Sequence, residues 1–241
     1  MKQKLILTLC GIVLFVNSGC QGPRQHEWVH LFDGSSLDNW IVKCKPQDKK
    51  KTYWYIEDSA IVADSLGDPD HDYIWLMTKN QYSNFVFELD FMAFKNSPGN
   101  SGVQIWSRYD DINYWLNGPQ IDIHPSEYWR SGFMWDETRG DQRWIFPDIP
   151  MGEWVDESMV INEFPFYFAD DNKWNHLRVE ARDLNVKAWL NGVLITDFEG
   201  SGILNDGIHE KYDIVGKGHI ALQIHTQDEL KIKFKEIRIK E

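Results

Sequence analysis

The segment WNHLRVEARDLNVKAWLNGVLITDF (174–198) decides the fold. Leu177, Val179 and Ala181 alternate with polar residues, and so do Val186, Ala188 and Leu190. Successive side chains of a strand point to opposite faces, so this period of two reads as a pair of half-buried strands. Asn191-Gly192 then supplies the two residues that most readily adopt the left-handed backbone of a tight hairpin, with Val193 and Ile195 on the return.

The same signature recurs outward in both directions. Phe85, Phe87, Leu89 and Phe91 alternate in NFVFELDFMAF (84–94), as do Val103 and Ile105, Ile121 and Ile123, and Ile220, Leu222 and Ile224. In the last strand Leu230, Ile232 and Phe234 keep one parity, and Ile237 and Ile239 keep the other. The slip predicts a bulge near Lys235 or Glu236. No amphipathic helix beyond about ten residues is predicted. Many short antiparallel strands with turns between them predict an all-β sandwich of two antiparallel sheets in one domain. The stretch from Ser126 to Asp170 lacks this periodicity and is rich in Trp, Pro, Gly and acids. It reads as elaborated loops over one face of the sandwich.

The N-terminus has a different grammar. Lys2 and Lys4 precede an apolar run from Leu5 to Val16, then Asn17-Ser18-Gly19-Cys20. The run is too short to span a bilayer well and has the layout of a secretory signal. Small residues before a Cys resemble a lipobox, so Cys20 is expected to carry lipid. This divides the chain into a signal peptide (1–19), a tether (20–27) and a β-sandwich domain (28–241), anchored in the cell envelope. Cys10 would leave with the signal, so Cys44 has no intrachain disulfide partner. The formal net charge is −12, which argues against nucleic acid as a partner, since that binding needs a basic surface. Twelve Trp, nine Tyr and thirteen Phe can fill a sandwich core and can also stack on sugar rings.

Each aliphatic series names an opposite series. Opposite Val103 and Ile105 stand Gln104, Trp106 and Arg108; opposite Ile121 and Ile123 stand Gln120, Asp122 and His124; opposite Leu222 and Ile224 stand Gln223 and His225. These amides, rings and acids hydrogen-bond and stack, as recognition of a carbohydrate requires, and they are expected on one face. They equally fit the wet face that any antiparallel sheet presents. Trp135-Asp136-Glu137-Thr138-Arg139 adds two carboxylates beside a guanidinium, a base with its partner or a surface ion pair. Glu88-Leu89-Asp90 begins the alternating carboxylates of retaining glucanases, but Ala93 interrupts the series. No close His pair or Cys cluster gives a metal spacing, although Asp122, His124 and His225 could share a divalent ion.

Five blocks carry a resemblance to a known family: HLFDGSSLDNW (30–40), GNSGVQIWSR (99–108), GPQIDI (118–123), the opening segment (174–198) and GHIALQIHTQDELKIKFKEIRIKE (218–241). In this order they resemble the 3-keto-disaccharide hydrolase family across nearly all of 28–241. The resemblance implies a concanavalin-like jelly roll, export as a lipoprotein and cleavage of glycosides oxidised at C3. Many members carry Glu where this chain has Gln120. The chain instead resembles a branch matched here by Gln120, Asp122, Asp136, Glu137 and Arg139.

A 3-keto sugar needs a base for the C2 proton and donors for the ketone oxygen. Asp122, His124 and Glu137 are the candidate bases. Gln104, Trp106, Arg108, Gln120, Arg139, Gln223 and His225 are the candidate substrate-binding residues. A divalent ion could replace the donors as Lewis acid. Strand placement and burial favour Asp122 as base or metal ligand, with Glu137 partnering Arg139 or substrate hydroxyls. The rival readings are a non-catalytic carbohydrate-binding lipoprotein and a lectin-like scaffold.

Overall fold

A computed structural model describes residues 27–160 and 164–241. The signal, Cys20 and most of the tether lie outside the described residues. Among the described residues no helix is long and apolar enough to cross a membrane.

Two antiparallel eight-stranded sheets face one another. One runs, neighbour to neighbour, through Val193–Glu199, Asn185–Leu190, Asn175–Arg182, Phe85–Ala93, Lys231–Lys240, Ala60–Asp64 and Trp54–Glu57, with Val29–His30 added beside Lys231–Lys240. The other runs through Trp144–Phe146, Met134–Asp136, Pro119–Ile123, Ser101–Asp110, His219–Ile224, Ile74–Thr78 and Trp40–Cys44, with Trp115–Asn117 beside Ser101–Asp110. The core between them is the alternating set expected: Phe85, Phe87, Leu89, Phe91, Leu177 and Val179 pack with Val103, Ile105, Ile121, Ile123, Leu222 and Ile224. Burial of this apolar surface is the main term holding a fold whose described residues contain no disulfide.

The hairpin turn is as expected, with Asn191 and Gly192 both at positive φ (49° and 83°). The late bulge is present too. The pairing of Lys231–Lys240 with Phe85–Ala93 shifts between Lys235 and Arg238, and Glu236 has φ 50°. The described part of the stretch 126–170 is not made of loops alone. Its segments Met134–Asp136 and Trp144–Phe146 extend the second sheet. Glu88 lies on the outer face of the first sheet, held by Arg178 at 2.6 Å and Arg238 at 2.6 and 2.9 Å. It is part of a surface ion cluster.

A second bulge changes the reading of one strand. Gln104 and Ser107 pair with Ala221 and His219, so three steps on one strand oppose two on the other. The extra residue is Trp106, at φ 49°. It turns inward, 1% exposed, with its ring against Phe85 and its Nε1 donating to Ser83 O at 2.7 Å. Gly218 permits this, because a Cβ there would lie 2.2 Å from the Trp106 carbonyl carbon. Past a bulge the side-chain phase inverts. Trp106 therefore packs in the core, correcting its expected stacking role.

Candidate active site

The outer face of the second sheet carries both polar and aromatic groups. Met134–Asp136 pairs with Pro119–Ile123, setting Trp135 opposite Gln120, and Glu137 follows directly. The backbone of Glu137 is fixed on both sides: its N–H donates to Gly118 O at 3.1 Å, and its carbonyl accepts from Trp115 Nε1 at 2.9 Å. Asp122 pairs with Gly102 in the next strand. A Cβ on Gly102 would lie 2.4 Å from Gln120 Cδ, so the missing side chain gives the Gln120 amide its place.

These placements build a cleft lined by Tyr73, Asn100, Gln120, Asp122, Arg130, Trp135, Glu137, Arg143, Trp154 and His225. Its two acids differ in surroundings. Arg130 clamps Asp122, with Nε and Nη2 each 3.1 Å from Oδ2, while Gln120 Nε2 donates to Oδ1 at 3.4 Å. Glu137, 6% exposed, accepts from Arg143 at Oε2 and only a long 3.4 Å contact from Gln223 Nε2 at Oε1. Burial pushes the Glu137 carboxyl above its ordinary pKa; Arg143, Trp135, Gln223 and His225 pull the other way without overturning it.

A hydrogen-bonded chain forms another wall. His225 Nδ1 lies 3.1 Å from Asp228 Oδ2, and its Nε2 is 2.9 Å from the Tyr73 hydroxyl. Burial alone would lower the His225 imidazole, but the bond to Asp228 and the charges of Asp228, Glu137 and Asp122 hold it above its ordinary value. Burial, reinforced by the Glu137 charge, raises the Tyr73 phenol, which therefore stays a neutral donor. The Tyr73 ring stacks on Trp75 at 5.4 Å and meets the edge of Trp115 at 4.9 Å. The amide oxygens of Asn100 and Gln120, both buried, have no hydrogen-bond partner within the described residues. Buried acceptors left open cost free energy unless a ligand supplies donors, and sugar hydroxyls are such donors.

Of the residues singled out from sequence, Gln120, Asp122, Glu137 and His225 line the cleft. Gln223 touches Glu137 from beneath, and Gln104, fully buried, donates to Leu116 O at 3.0 Å beside it. His124 does not line the cleft. Its Nδ1 accepts from the Glu127 N–H at 3.0 Å, and burial lowers its pKa. Arg108 lies past the Trp106 bulge and pairs with Asp213 at 2.6 Å, away from the cleft. Arg139 reaches Asp206 at 3.7 Å, and Glu137 takes Arg143 as its cation instead of the expected Arg139.

Asp136 is buried against His209, 3.1 Å away, and His209 in turn meets Asp206 at 2.7 Å. Tyr73, Asn100, Arg130, Arg143 and Asp228 escaped sequence reasoning, because none sits in an alternating series. Among the described residues no group of three or more His, Cys, Asp or Glu is placed to hold a metal ion.

Fold and cleft together define the class: a jelly-roll β-sandwich whose outer sheet face bears a buried carboxylate in a polar cleft. The family model for the 3-keto-alpha-glucoside-1,2-lyase-like domain matches residues 27–240. The chain belongs to that family, as its sequence blocks implied, and is a carbohydrate-active protein. No curated protein matches it.

Similar solved structures include a candidate glycosyl hydrolase from Parabacteroides distasonis (TM-score 0.56, 20% identity, 88% of this chain and 93% of that one). A protein of unknown function with a galectin-like fold from Bacillus subtilis is also similar (TM-score 0.56, 11% identity, 89% and 94%). So is the endo-beta-1,3-glucanase of Pyrococcus furiosus (TM-score 0.55, 12% identity, 90% and 95%). At these identities the likeness concerns the fold.

Proposed function

We propose that the cleft cleaves the C1–O bond of a glycoside whose sugar carries a ketone at C3. The observation that carries this reading is Glu137, a buried carboxylate of raised pKa with one oxygen held by Arg143 and the other nearly free. The ketone acidifies the proton on C2. Glu137 takes that proton, and the C2–H electron pair becomes an enolate with its charge on the C3 oxygen. That pair then forms the C1–C2 double bond as the C1–O bond breaks, and the departing oxygen takes up a proton. Water adding across the double bond would complete a net hydrolysis; release before addition would make the outcome a lyase reaction.

The neutral Tyr73 hydroxyl, backed by His225 and Asp228, suits the enolate oxygen or the leaving group as donor. Asn100 and Gln120 suit the sugar hydroxyls. A buried acid within electrostatic reach of His225 supports the enzyme reading over a carbohydrate-binding scaffold, which needs no group of tuned pKa.

The test is incubation of the 28–241 domain with 3-keto-trehalose and with unoxidised trehalose, with and without chelator. Cleavage of the oxidised sugar alone is expected; cleavage of neither sinks the reading. Its pH dependence has a definite sign. Glu137 must be deprotonated and His225 protonated, so kcat/KM should be bell-shaped. The acid limb should lie above the usual carboxylate range and the alkaline limb above the usual histidine range. A His225→Asn enzyme should lose the alkaline limb, and an unaltered limb would remove His225 from the mechanism.

The proposal extends to location: lipid on Cys20 would hold the domain at the cell envelope. Cys20→Ala should convert a membrane-partitioning protein into a soluble one. Equal membrane retention of the variant would refute the anchor.

A further inference from the structure

Beside the acid cleft lies a larger cavity of about 300 Å³, lined on its carbon side by Trp135, Trp144, Ile149, Pro150, Met151 and Trp154. The two spaces are continuous in their walls, since Trp135, Arg143 and Trp154 line both. The three indoles meet edge to face, at 5.0 Å for Trp135–Trp144, 5.4 Å for Trp135–Trp154 and 5.5 Å for Trp144–Trp154. The guanidiniums that brace the cleft acids lie on the same rings: Arg143 is 4.7 Å from the Trp135 ring, and Arg130 is 4.9 Å from the Trp154 ring. Yet the cage is not closed. Trp154 remains 50% exposed and Met151 66% exposed, large apolar side chains held in water at the mouth of a polar cleft.

We infer that this indole–methionine cavity is the leaving-group subsite, and that it selects glycosides with a planar aromatic aglycone. The inference rests on the proposed glycoside cleavage for what occupies the neighbouring cleft. A second sugar would need convergent hydrogen-bonding groups, and of the polar side chains here Gln142 and Arg143 are already engaged, while Asp141 and Glu153 stand exposed to solvent. Gln142 donates to Asp148 at 2.7 Å, and Arg143 is bound to Glu137. Indole faces and a thioether instead offer stacking and sulfur–aromatic contact to a flat ring. Trp144 Nε1, buried and without an acceptor among the described residues, adds one donor for an aglycone oxygen.

The experiment compares methyl and phenyl 3-keto-α-glucosides as substrates, for the wild type and for Met151→Asp and Trp154→Ala. Binding of unoxidised 4-nitrophenyl α-glucoside is followed in parallel by quenching of tryptophan fluorescence. The wild type should prefer phenyl over methyl in kcat/KM, and each variant should narrow that ratio by about two- to tenfold. The same variants should weaken 4-nitrophenyl α-glucoside binding by a similar factor. A wild type without aryl preference, or variants that leave the ratio intact, overturns the subsite while the glycoside reading stands. If the wild type cleaves neither substrate, that reading fails and the binding arm decides alone. Weaker quenching constants in both variants then uphold an aryl site, and constants equal to wild type overturn it.

Discussion

Glu137→Gln is expected to lower turnover of a 3-keto-glycoside by ~10²–10⁴, the usual contribution of a positioned general base. The amide keeps the shape of the side chain; its oxygen can still accept from Arg143, and its NH2 can donate to the unpartnered Gln223 Oε1, so the fold should persist. What it loses is the ability to take up the C2 proton. The raised pKa matters to the size of the effect. Arg143 alone would make Glu137 a weak base, whereas burial raises its proton affinity above that of an ordinary carboxylate. A folded Glu137→Gln enzyme with near wild-type turnover would move the base elsewhere in the cleft.

Asp122→Asn should act first on stability, by about 3 kcal/mol, toward the lower end for breaking a buried ion pair. Arg130 and Asp122 are both buried, and Asp122 Oδ2 accepts from two nitrogens of the guanidinium. Without the carboxylate, Arg130 keeps only Glu127, at 2.5 Å and partly in solvent, while remaining sandwiched against Trp144 and Trp154. The penalty is that of an under-compensated charge, so the double variant Asp122→Asn/Arg130→Met should recover part of it. Urea denaturation measures both. An Asp122→Asn midpoint equal to wild type would sink the clamp role and return Asp122 to the list of bases.

The contrast between these two acids shows where reading by sequence stops. Asp122 stands between Ile121 and Ile123 on an evident strand, which made it look like the rigid, buried, basic group. It is rigid and buried, but Arg130, eight residues on in an aperiodic stretch, holds its charge. Glu137 looked like the partner of Arg139, two residues away. Instead the strand pairing Met134–Asp136 with Pro119–Ile123 swings Glu137 over the sheet, where Gln223 and Arg143 reach it and Arg139 cannot.

The chain's own pattern determined the class of fold, the alternating core residues of the strands from Phe85 onward, the Asn191-Gly192 hairpin and the bulge at Glu236. Each is a local consequence of side-chain alternation or of left-handed turn propensity, readable within a few residues. It also determined the family, and it named the amide, acid and imidazole series from which three cleft residues, Gln120, Asp122 and His225, come.

Tertiary structure alone decided the rest. Trp106 left the polar face because Gly218, more than a hundred residues later, lets the backbone bulge against it, and an apolar Trp leaves no slip of parity to announce the event. Arg108 was displaced from the cleft with it. Which arginine meets which acid, and which acid keeps a raised pKa, depend on burial and on charges brought together across four neighbouring strands. Those are long-range sums over distance and desolvation, and no local pattern of residues encodes them.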